Sequence, residues 1–280
     1  MRVPQWSKNA VVFAALVFGD PKVEHAFWRA IAAFVAFCFI SSAGYILNDR
    51  IDIEHDRIHP TKRNRPIASG AVTPQAGLII AIALAVLGFV ISWIVNPVLL
   101  LVMIGYAVLT TAYSLHLKNI ALLDAFVIAS GFLLRAVAGA AAVEVPVSAW
   151  LMLCTMLLAL FLAFGKRRSE LVRLNHDAIG HRSALSGYSV PLLDQLLVIT
   201  AGCTIMAYSF YSFTSESVPS NGLMMLTVPF VIFAVFRYLL LVTRRGEGGA
   251  PEILLWRDWP LLASVVLWGV LAVSIILAVD

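Results

Sequence analysis

The sequence predicts an all-α integral membrane protein with nine transmembrane helices and its functional site at the cytoplasmic side. Of the 280 residues, 61% are hydrophobic and only 13% are charged, whereas soluble domains carry about 25% charged residues. The mean hydropathy is +0.90. Long apolar runs recur along the whole chain, and the charges gather in alternate connections. These observations favour one helical transmembrane domain over residues 1–280.

Nine apolar runs are candidates for spanning helices, each of which needs about 20 mostly apolar residues. They lie at 9–19, 26–47, 75–94, 97–114, 121–143, 147–165, 190–213, 222–243 and 259–279. The first run is short. We keep it because dropping it would move the N-terminus to the other side of the membrane.

The basic residues support this count. With the N-terminus in the cytoplasm, sixteen of the twenty Lys and Arg residues lie in cytoplasmic segments, against Lys22 and Arg29 on the opposite side. Arg135 and Arg237 lie inside spans. This asymmetry follows the positive-inside rule and predicts a multi-pass protein of a bacterial-type inner (plasma) membrane. The charged connections lie at about residues 48–74, 113–124 and 166–189.

Several classes of enzyme site are not indicated. The chain contains no CxxC, HExxH, GxSxG or GxxxxGK[ST] pattern, which argues against a zinc enzyme, a serine hydrolase or a P-loop ATPase. The loop histidines His55, His59 and His116 are not expected to bind metal. Cys38, Cys154 and Cys203 all lie in apolar runs, so we interpret them as packing residues without a disulfide.

An acidic stretch, NDRIDIEHD, lies where the second apolar run ends. If helix continues there, Asp49, Asp52 and Asp56 fall at i, i+3 and i+7, within about 60° of one face. Three carboxylates on one stripe repel one another, and a hard divalent cation such as Mg²⁺ removes that repulsion. The alternative is a solvated acidic helix end paired with Arg50 and Arg57.

A basic stretch, RIHPTKRNRPIASG, directly follows the acidic stretch and places Lys62, Arg63 and Arg65 within nine residues of Asp56. Carboxylates followed by Arg and Lys suit a metal-bridged polyphosphate, because the cationic side chains bind the phosphate oxygens that the metal leaves. The alternative is that these side chains are only positive-inside anchors.

Further ionisable residues lie at the ends of later spans. In YSLHLKNIALLD they are Tyr113, Lys118 and Asp124, and Asp124 enters the fifth span, where an ionisable residue is a functional candidate. Arg135 lies deeper on the same face and could bind a ligand phosphate or tie helices together. In FGKRRSEL the cluster Lys166, Arg167 and Arg168 could bind phosphate or anionic lipid headgroups.

The stretch NDRIDIEHDRIHPTKRNRPIASG resembles the first aspartate-rich motif, NDxxDxxxD, of the UbiA superfamily of intramembrane prenyltransferases. The motif residues here are Asn48, Asp49, Asp52 and Asp56. The second DxxxD motif of quinone-type and haem-type members is replaced by Lys118 and a lone Asp124. The strings YSLHLKNIALLD, GFLLRAVAGA, LFLAFGKRRSEL and PEILLWRDWPLL look like the branch of decaprenyl-phosphate phosphoribosyltransferases. The similarity covers about residues 4–268.

This resemblance implies nine helices around a central cavity, with Mg²⁺ as cofactor. It also implies a reaction in which phosphoribose diphosphate (PRPP) donates 5-phosphoribose to a polyprenyl phosphate and diphosphate leaves. The product is a step toward lipid-linked arabinose donors for cell-wall arabinan. The acceptor is already an anion and needs no general base, and the basic clusters can hold the two further phosphates. These features fit the reaction.

The resemblance also implies roles for the charged residues already described. Mg²⁺ would be held by Asp49, Asp52 and Asp56, with Asn48 assisting. Donor phosphates would be contacted by Tyr113 and Lys118, and the ribose or the metal by Asp124. The ribose 5-phosphate or diphosphate would be bound by Lys62, Arg63 and Arg65. The candidates for the lipid phosphate are Arg135, Lys166, Arg167 and Arg168.

Two rival functions stay open. One is transfer of a prenyl group from its diphosphate to an aromatic or quinone-precursor acceptor. The other is a non-catalytic lipid-binding or transport bundle, which the gathering of charge at one face and the lack of an inverted repeat disfavour. The expected partners are PRPP, polyprenyl phosphate and the lipid bilayer. No nucleic-acid partner is expected, and homo-oligomerisation is left open.

Overall fold

The computed structural model describes residues 3–19, 21–58, 62–174, 183–215 and 221–278, and every regular element in these ranges is a helix. The α-helices are α1 Ala14–Phe18, α2 Ala26–Ile51, α3 Ile53–Ile58, α4 Pro74–Val95, α5 Pro97–Leu115, α6 Leu123–Val143, α7 Ala149–Leu174, α8 Val190–Thr214, α9 Val228–Arg245, α10 Pro251–Arg257 and α11 Trp259–Leu277. The 3₁₀ segments are Val3–Phe13, Lys62–Asn64, Leu117–Asn119, Ser183–Gly187 and Leu223–Thr227.

Eight helical segments of the described residues are long and apolar enough to cross a membrane. They match the second to ninth predicted runs, and the chain is a multi-pass membrane protein. The first predicted run, 9–19, is occupied instead by the end of the 3₁₀ segment Val3–Phe13 and by the short helix α1. The helix α7 continues to Leu174, so Lys166 to Arg168 lie in a helix rather than in a loop.

The starts of four spanning helices follow from a local sequence pattern. A short polar residue accepts a hydrogen bond from a backbone N–H of the first turn, and a proline occupies one of the first two helical positions. These capping residues are Thr73 of α4, Asn96 of α5, Ser189 of α8 and Asp258 of α11. The caps satisfy backbone donors at helix N-termini, and proline there lacks only an N–H that would have no helical partner.

The chain forms two compact units, which are described separately. The first comprises Met1–Val127 and Leu134–Pro146, and the second comprises Ile128–Leu133 and Val147–Asp280. That residues 1–280 act as one transmembrane domain stays a prediction.

Glycines allow close helix packing in the first unit. A Cβ atom at Gly88 of α4 would lie 2.5 Å from Ile40 Cγ1 of α2. A Cβ atom at Gly139 of α6 would lie 1.9 Å from the backbone oxygen of Val12. In membranes, helices pack through small residues because lipid tails are as apolar as leucine side chains. These two positions therefore fix how α4 and the N-terminal segment approach their neighbours.

The N-terminal 3₁₀ segment runs antiparallel to α2. Its contacts, in order along the segment, join Trp6 Nε1 to Ser42 Oγ at 3.2 Å, Asn9 Nδ2 to Cys38 Sγ at 3.2 Å, and the rings of Phe13 and Phe34 at 5.3 Å between centroids. As the residue number increases along the segment, the residue number of the contacted partner in α2 decreases. The segment therefore follows α2 from the side of Ser42 toward the start of that helix.

Polar contacts link the helices of the second unit. The hydroxyl groups of Tyr208 and Thr227 lie 2.6 Å apart, and Trp268 Nε1 donates to the Tyr208 oxygen at 2.6 Å. Arg237 donates to both carboxylate oxygens of Asp258 at 3.0 and 2.8 Å. The arginine predicted inside the eighth span is thus held by the carboxylate that caps α11.

Candidate active site

The acidic stretch is helical on both sides of Asp52, which lies in a turn between α2 and α3. The backbone N–H of Asp52 donates to the Asn48 carbonyl oxygen at 2.9 Å, and that of Asp56 donates to the Asp52 carbonyl oxygen at 2.8 Å. The i to i+4 spacing therefore continues from α2 into α3. Asp49, Asp52 and Asp56 were expected to share one face if this helical spacing continued past α2.

One guanidinium nitrogen joins the first and last of these aspartates. Arg65 Nη1 donates to Asp49 Oδ1 at 3.2 Å and also to Asp56 Oδ2. The side chains of Asp49 and Asp56 are only 12% and 3% exposed, and that of Arg65 is 23% exposed. We call this arrangement the Arg65 bridge. Its single positive charge compensates part of the negative charge of two carboxylates that are largely withdrawn from water, where an uncompensated charge is costly.

The middle aspartate has a different partner. Lys118 Nζ donates to Asp52 Oδ1 at 2.7 Å, and Asn48 Nδ2 donates to Asp52 Oδ2 at 3.0 Å. Lys118 lies in the 3₁₀ turn that follows α5. The structure therefore brings the predicted Lys118 to the aspartate motif from 66 residues away in sequence.

The loop that carries Arg65 is anchored by buried apolar residues. Ile67 and Ala68 are buried, and a Cβ atom at Gly77 of α4 would lie 3.0 Å from Ile67 Cδ1. Lys62 and Arg63 are exposed, three and two residues before Arg65. Of the three predicted basic residues, Arg65 contacts both Asp49 and Asp56.

The alternative pairing of the acidic stretch with Arg57 is observed for Glu54. Arg57 Nη1 donates to Glu54 Oε1 at 3.2 Å and its Nε donates to the Ala68 carbonyl oxygen at 3.4 Å. Arg57 therefore lies at the same end of the unit without contacting the motif aspartates through these bonds.

Asp124 and Tyr113 also lie in the first unit. Asp124 occupies the first turn of α6 and is completely buried, and an acidic side chain is favoured at a helix N-terminus. Leu122, just before α6, has φ +67°, a strained conformation for a non-glycine residue. Tyr113 is half-buried near the end of α5.

Arg135 lies in a buried network rather than at a helix end. It is 5% exposed. Its Nε donates to Asn9 Oδ1 at 2.8 Å, and its Nη2 donates to the Tyr106 hydroxyl at 3.1 Å. Its guanidinium carbon lies 5.0 Å from the ring centroid of Phe37 and 5.1 Å from that of Tyr106. These contacts join the N-terminal segment, α2, α5 and α6, as the helix-tie interpretation requires.

The sequence analysis missed the partners of Arg135. Asn9 is a polar residue at the start of an apolar run, and Tyr106 lies in the middle of one. A polar side chain at membrane depth is a signal that could have singled out Asn9. Nothing local distinguishes Tyr106 from the other aromatic residues of the chain.

The second basic cluster lies in the second unit. Arg168 donates to Asp194 Oδ1 of α8 through Nε and to the Val242 carbonyl oxygen of α9 through Nη1 at 3.0 Å. Arg167 is 1% exposed and pairs with Glu170. Lys166 is half-buried. Arg168 therefore ties three helices together, and Asp194 is a partner that the sequence analysis did not single out.

The chemistry of the aspartate motif fits a divalent metal ion. Two carboxylate oxygens, from Asp49 and Asp56, converge on one cationic nitrogen, so both oxygens can reach one point. Carboxylate oxygens are the ligands that Mg²⁺ prefers, usually one or two of them together with substrate phosphates. The described residues contain no ready cluster of three or more His, Cys, Asp or Glu ligands. Asp52 is paired with Lys118, whereas Asp49 and Asp56 are paired with Arg65.

Comparison with known proteins identifies the family. Residues 10–252 match the model of the UbiA prenyltransferase family. The chain belongs to this family. It is 35% identical to the "Decaprenyl-phosphate phosphoribosyltransferase" of Mycolicibacterium smegmatis, with 96% of this chain and 88% of the relative covered. It is 34% identical to the protein of the same name in Corynebacterium glutamicum, with 96% and 82% covered.

A solved structure of this family shares the fold. The UbiA homolog from Archaeoglobus fulgidus, whose structure is described as bound to DMAPP and Mg²⁺, aligns with a TM-score of 0.75 at 17% identity. The alignment covers 98% of this chain and 96% of the homolog. The resemblance to the UbiA superfamily that the aspartate motif indicated is confirmed.

Proposed function

We propose that this UbiA family member transfers 5-phosphoribose from PRPP to a decaprenyl-type polyprenyl phosphate and releases diphosphate. The observation that carries the proposal is the meeting of the NDxxDxxxD aspartates with Arg65 and Lys118 in one unit. The name and nearly complete coverage of the mycobacterial and corynebacterial relatives support the same reaction. Its product would supply lipid-linked arabinose donors for cell-wall arabinan.

The bond changes of this reaction require binding and charge stabilisation rather than a base. A phosphate oxygen of the acceptor forms a bond to C1 of the ribose, the bond from C1 to the diphosphate oxygen breaks, and its electron pair leaves with diphosphate. The acceptor oxygen is already anionic. When bound, Mg²⁺ would neutralise the negative charge that develops on the diphosphate.

The aspartates would orient the donor in this scheme. Asp49 and Asp56, with Asp52 and Asn48 beside them, would hold the metal and through it the diphosphate. Lys118 and Arg65 already lie at these carboxylates, so they are placed to contact the same phosphates. Preorganised charges of this kind stabilise a transition state without reorganisation cost.

The remaining residues fall into two groups. Tyr113 and Asp124 belong to the same unit as the aspartates, and we assign them to donor phosphate and to ribose or metal. The exposed Lys62 and Arg63 would attract the anionic donor. The acceptor phosphate is assigned to Lys166, Arg167 and Arg168. The contacts of Arg135 favour its role as a helix tie over the lipid-phosphate role.

A ninth membrane crossing by the N-terminal segment is part of the proposal. Val3–Phe13 has 11 residues of 3₁₀ helix, and α1 has five α-helical residues. The 3₁₀ helix rises about 2.0 Å per residue and the α-helix about 1.5 Å per residue. Together the two segments extend about 30 Å, which is the thickness of the hydrocarbon core. The segment runs antiparallel to α2, so the N-terminus would share the aspartates' side, the cytoplasm of a bacterial plasma membrane.

Reporter fusions test this topology. With nine crossings, a reporter that is active only in the cytoplasm will be active when fused to the N-terminus and inactive when fused to the C-terminus. With eight crossings the two fusions will report the same side, and the ninth crossing is rejected.

A labelled-substrate assay tests the reaction. Purified protein and Mg²⁺ are mixed with PRPP that carries ¹⁴C in its ribose and with decaprenyl phosphate, and the lipid is extracted into organic solvent. Metal-dependent label in the lipid establishes phosphoribosyl transfer. Activity on a prenyl diphosphate and 4-hydroxybenzoate instead would refute the donor assignment. No turnover with either pair would favour a non-catalytic bundle.

A further inference from the structure

The Arg65 bridge places a protein cation at the point where a metal ion would be bound. One nitrogen, Nη1, contacts an oxygen of Asp49 and an oxygen of Asp56. Lys118 Nζ donates to Asp52 Oδ1 at 2.7 Å. Each of the three motif aspartates is therefore already paired with a basic side chain. Arg65 Nη1 takes the position where the Asp49 and Asp56 oxygens would meet a metal ion, and the positive charges of Arg65 and Lys118 repel the metal.

We infer that Arg65 and Lys118 make binding of the divalent metal conditional on binding of the donor's diphosphate group. In the donor-free protein the two basic side chains compete with the metal for the aspartates. When diphosphate binds, they exchange the carboxylates for phosphate oxygens and release the carboxylates to the metal. The inference rests on the proposed function, since it assumes that the aspartates hold a metal–diphosphate group.

The burial of the bridge gives the physical reason. Arg65 and Lys118 are 23% and 13% exposed, and Asp56 is 3% exposed. A metal that entered alone would leave two cations in partly dry surroundings without their carboxylates, and losing a partner is costly there. Diphosphate supplies replacement acceptors, and a guanidinium group has five N–H donors with which to reach them.

This coupling is reciprocal. If diphosphate raises the affinity of the site for metal, metal raises the affinity for diphosphate by the same factor. Coupling between binding sites is commonly about 5- to 150-fold. The donor-free site would therefore bind metal weakly and would assemble only with its anionic substrate.

The test measures metal binding without any turnover. Binding of Mn²⁺ alone is followed by electron paramagnetic resonance on the purified full chain, for the wild type, Arg65→Gln and the control Arg57→Gln. Arg57 has the same charge at the same end of the unit, but it bonds to Glu54 and to the Ala68 carbonyl oxygen. Arg57→Gln changes the net charge by the same amount as Arg65→Gln and leaves the Arg65 bridge intact.

A second arm measures the coupling itself. Binding of ³²P-labelled inorganic diphosphate is measured at increasing Mn²⁺ concentrations for the same three proteins. This arm also includes Lys118→Gln, which removes the basic partner of Asp52 and leaves the Arg65 bridge in place. Inorganic diphosphate is used because it is the leaving group of both PRPP and prenyl diphosphates, so the result does not depend on which donor is correct.

The expected result has two parts. Arg65→Gln binds Mn²⁺ alone at least about 5-fold more tightly than the wild type, whereas Arg57→Gln stays near the wild type because an exposed charge is screened. In the wild type Mn²⁺ tightens diphosphate binding at least about 5-fold. This gain is smaller in Arg65→Gln and Lys118→Gln.

Two results would overturn the inference. One is that Arg65→Gln binds Mn²⁺ no more tightly than the wild type, or that Arg57→Gln gains as much Mn²⁺ affinity as Arg65→Gln. The other needs no variant: diphosphate binding to the wild type that does not respond to Mn²⁺. If either occurs while label still passes from PRPP to lipid, only this inference fails. If the coupling is found but PRPP is not a donor, only the proposed substrate fails.

Discussion

Replacing Arg135 with methionine tests whether this buried arginine ties helices together or binds substrate phosphate. Arg135 donates to Asn9 Oδ1 at 2.8 Å and to the Tyr106 hydroxyl at 3.1 Å. Its guanidinium group also lies over the ring of Phe37 at 5.0 Å. Methionine keeps most of the volume of the stem and removes only the charged head group, so it separates the contacts from the packing.

The size of the effect follows from these contacts. Hydrogen bonds between membrane helices contribute about 0.6 kcal/mol on average and about 1.7 kcal/mol at most. A desolvated cation–π contact contributes about 2 kcal/mol. Relief of the buried charge offsets part of this loss. We expect Arg135→Met to lower the free energy of unfolding by about 2 kcal/mol.

Equilibrium unfolding in detergent micelles measures this loss. Arg57→Met is the control, because it removes an exposed arginine of the same unit and should change stability by less than about 0.5 kcal/mol. A double-mutant cycle with Asn9→Val isolates the interaction energy between Arg135 and Asn9, which should be about 1 kcal/mol. KM for both substrates should stay near the wild-type values in Arg135→Met.

The opposite pattern would refute this reasoning. If Arg135→Met unfolds like the wild type and has a coupling energy near zero with Asn9, the network does not stabilise the fold. If it also raises KM for polyprenyl phosphate by about tenfold, corresponding to about 1.4 kcal/mol, the phosphate-binding interpretation stands instead.

Three further predictions follow from other contacts. Gly139→Ala should destabilise the fold by about 1–3 kcal/mol in the same unfolding assay, since its Cβ atom would meet the Val12 backbone; the control Gly105→Ala, with nothing within 4 Å of its Cβ atom, should not, and equal effects would contradict the packing argument. Asp56→Asn should lower kcat about 10²- to 10³-fold in the labelled-PRPP assay, and wild-type turnover at limiting Mg²⁺ would remove Asp56 from the site. Arg168→Ala should cost more stability than Asp194→Asn, because it also loses the bond to the Val242 carbonyl oxygen; equal losses would show that this bond contributes nothing.

Most spanning helices could be located from the sequence because hydropathy is a local property. A run of about 20 apolar residues has few options other than a membrane helix. The ends of these helices were harder to place: α7 continues through KRRSELVRL to Leu174, since charged residues with good helix propensity extend a helix beyond the apolar run. The N-terminal segment was also difficult, because its length in a membrane depends on whether it is 3₁₀ or α-helical.

The sequence alone determined the aspartate stripe. The spacing of i, i+3 and i+7 predicts from the helical repeat that Asp49, Asp52 and Asp56 share a face, and the motif was sufficient to indicate the family. Tertiary structure decided which basic residues meet the stripe. Arg65 rather than its exposed neighbour Arg63 bridges Asp49 and Asp56, and Lys118 reaches Asp52 from 66 residues away.

Arg135 shows the same division most clearly. The sequence placed a charge inside a span, and a charge there must find a partner. It could not choose between a substrate phosphate and another helix, because the polar partner Asn9 lies 126 positions away. Helical periodicity relates residues within a few turns, whereas contacts between distant segments depend on how helices pack. That packing is decided by close approaches such as Val12 against Gly139, which only the folded chain brings about.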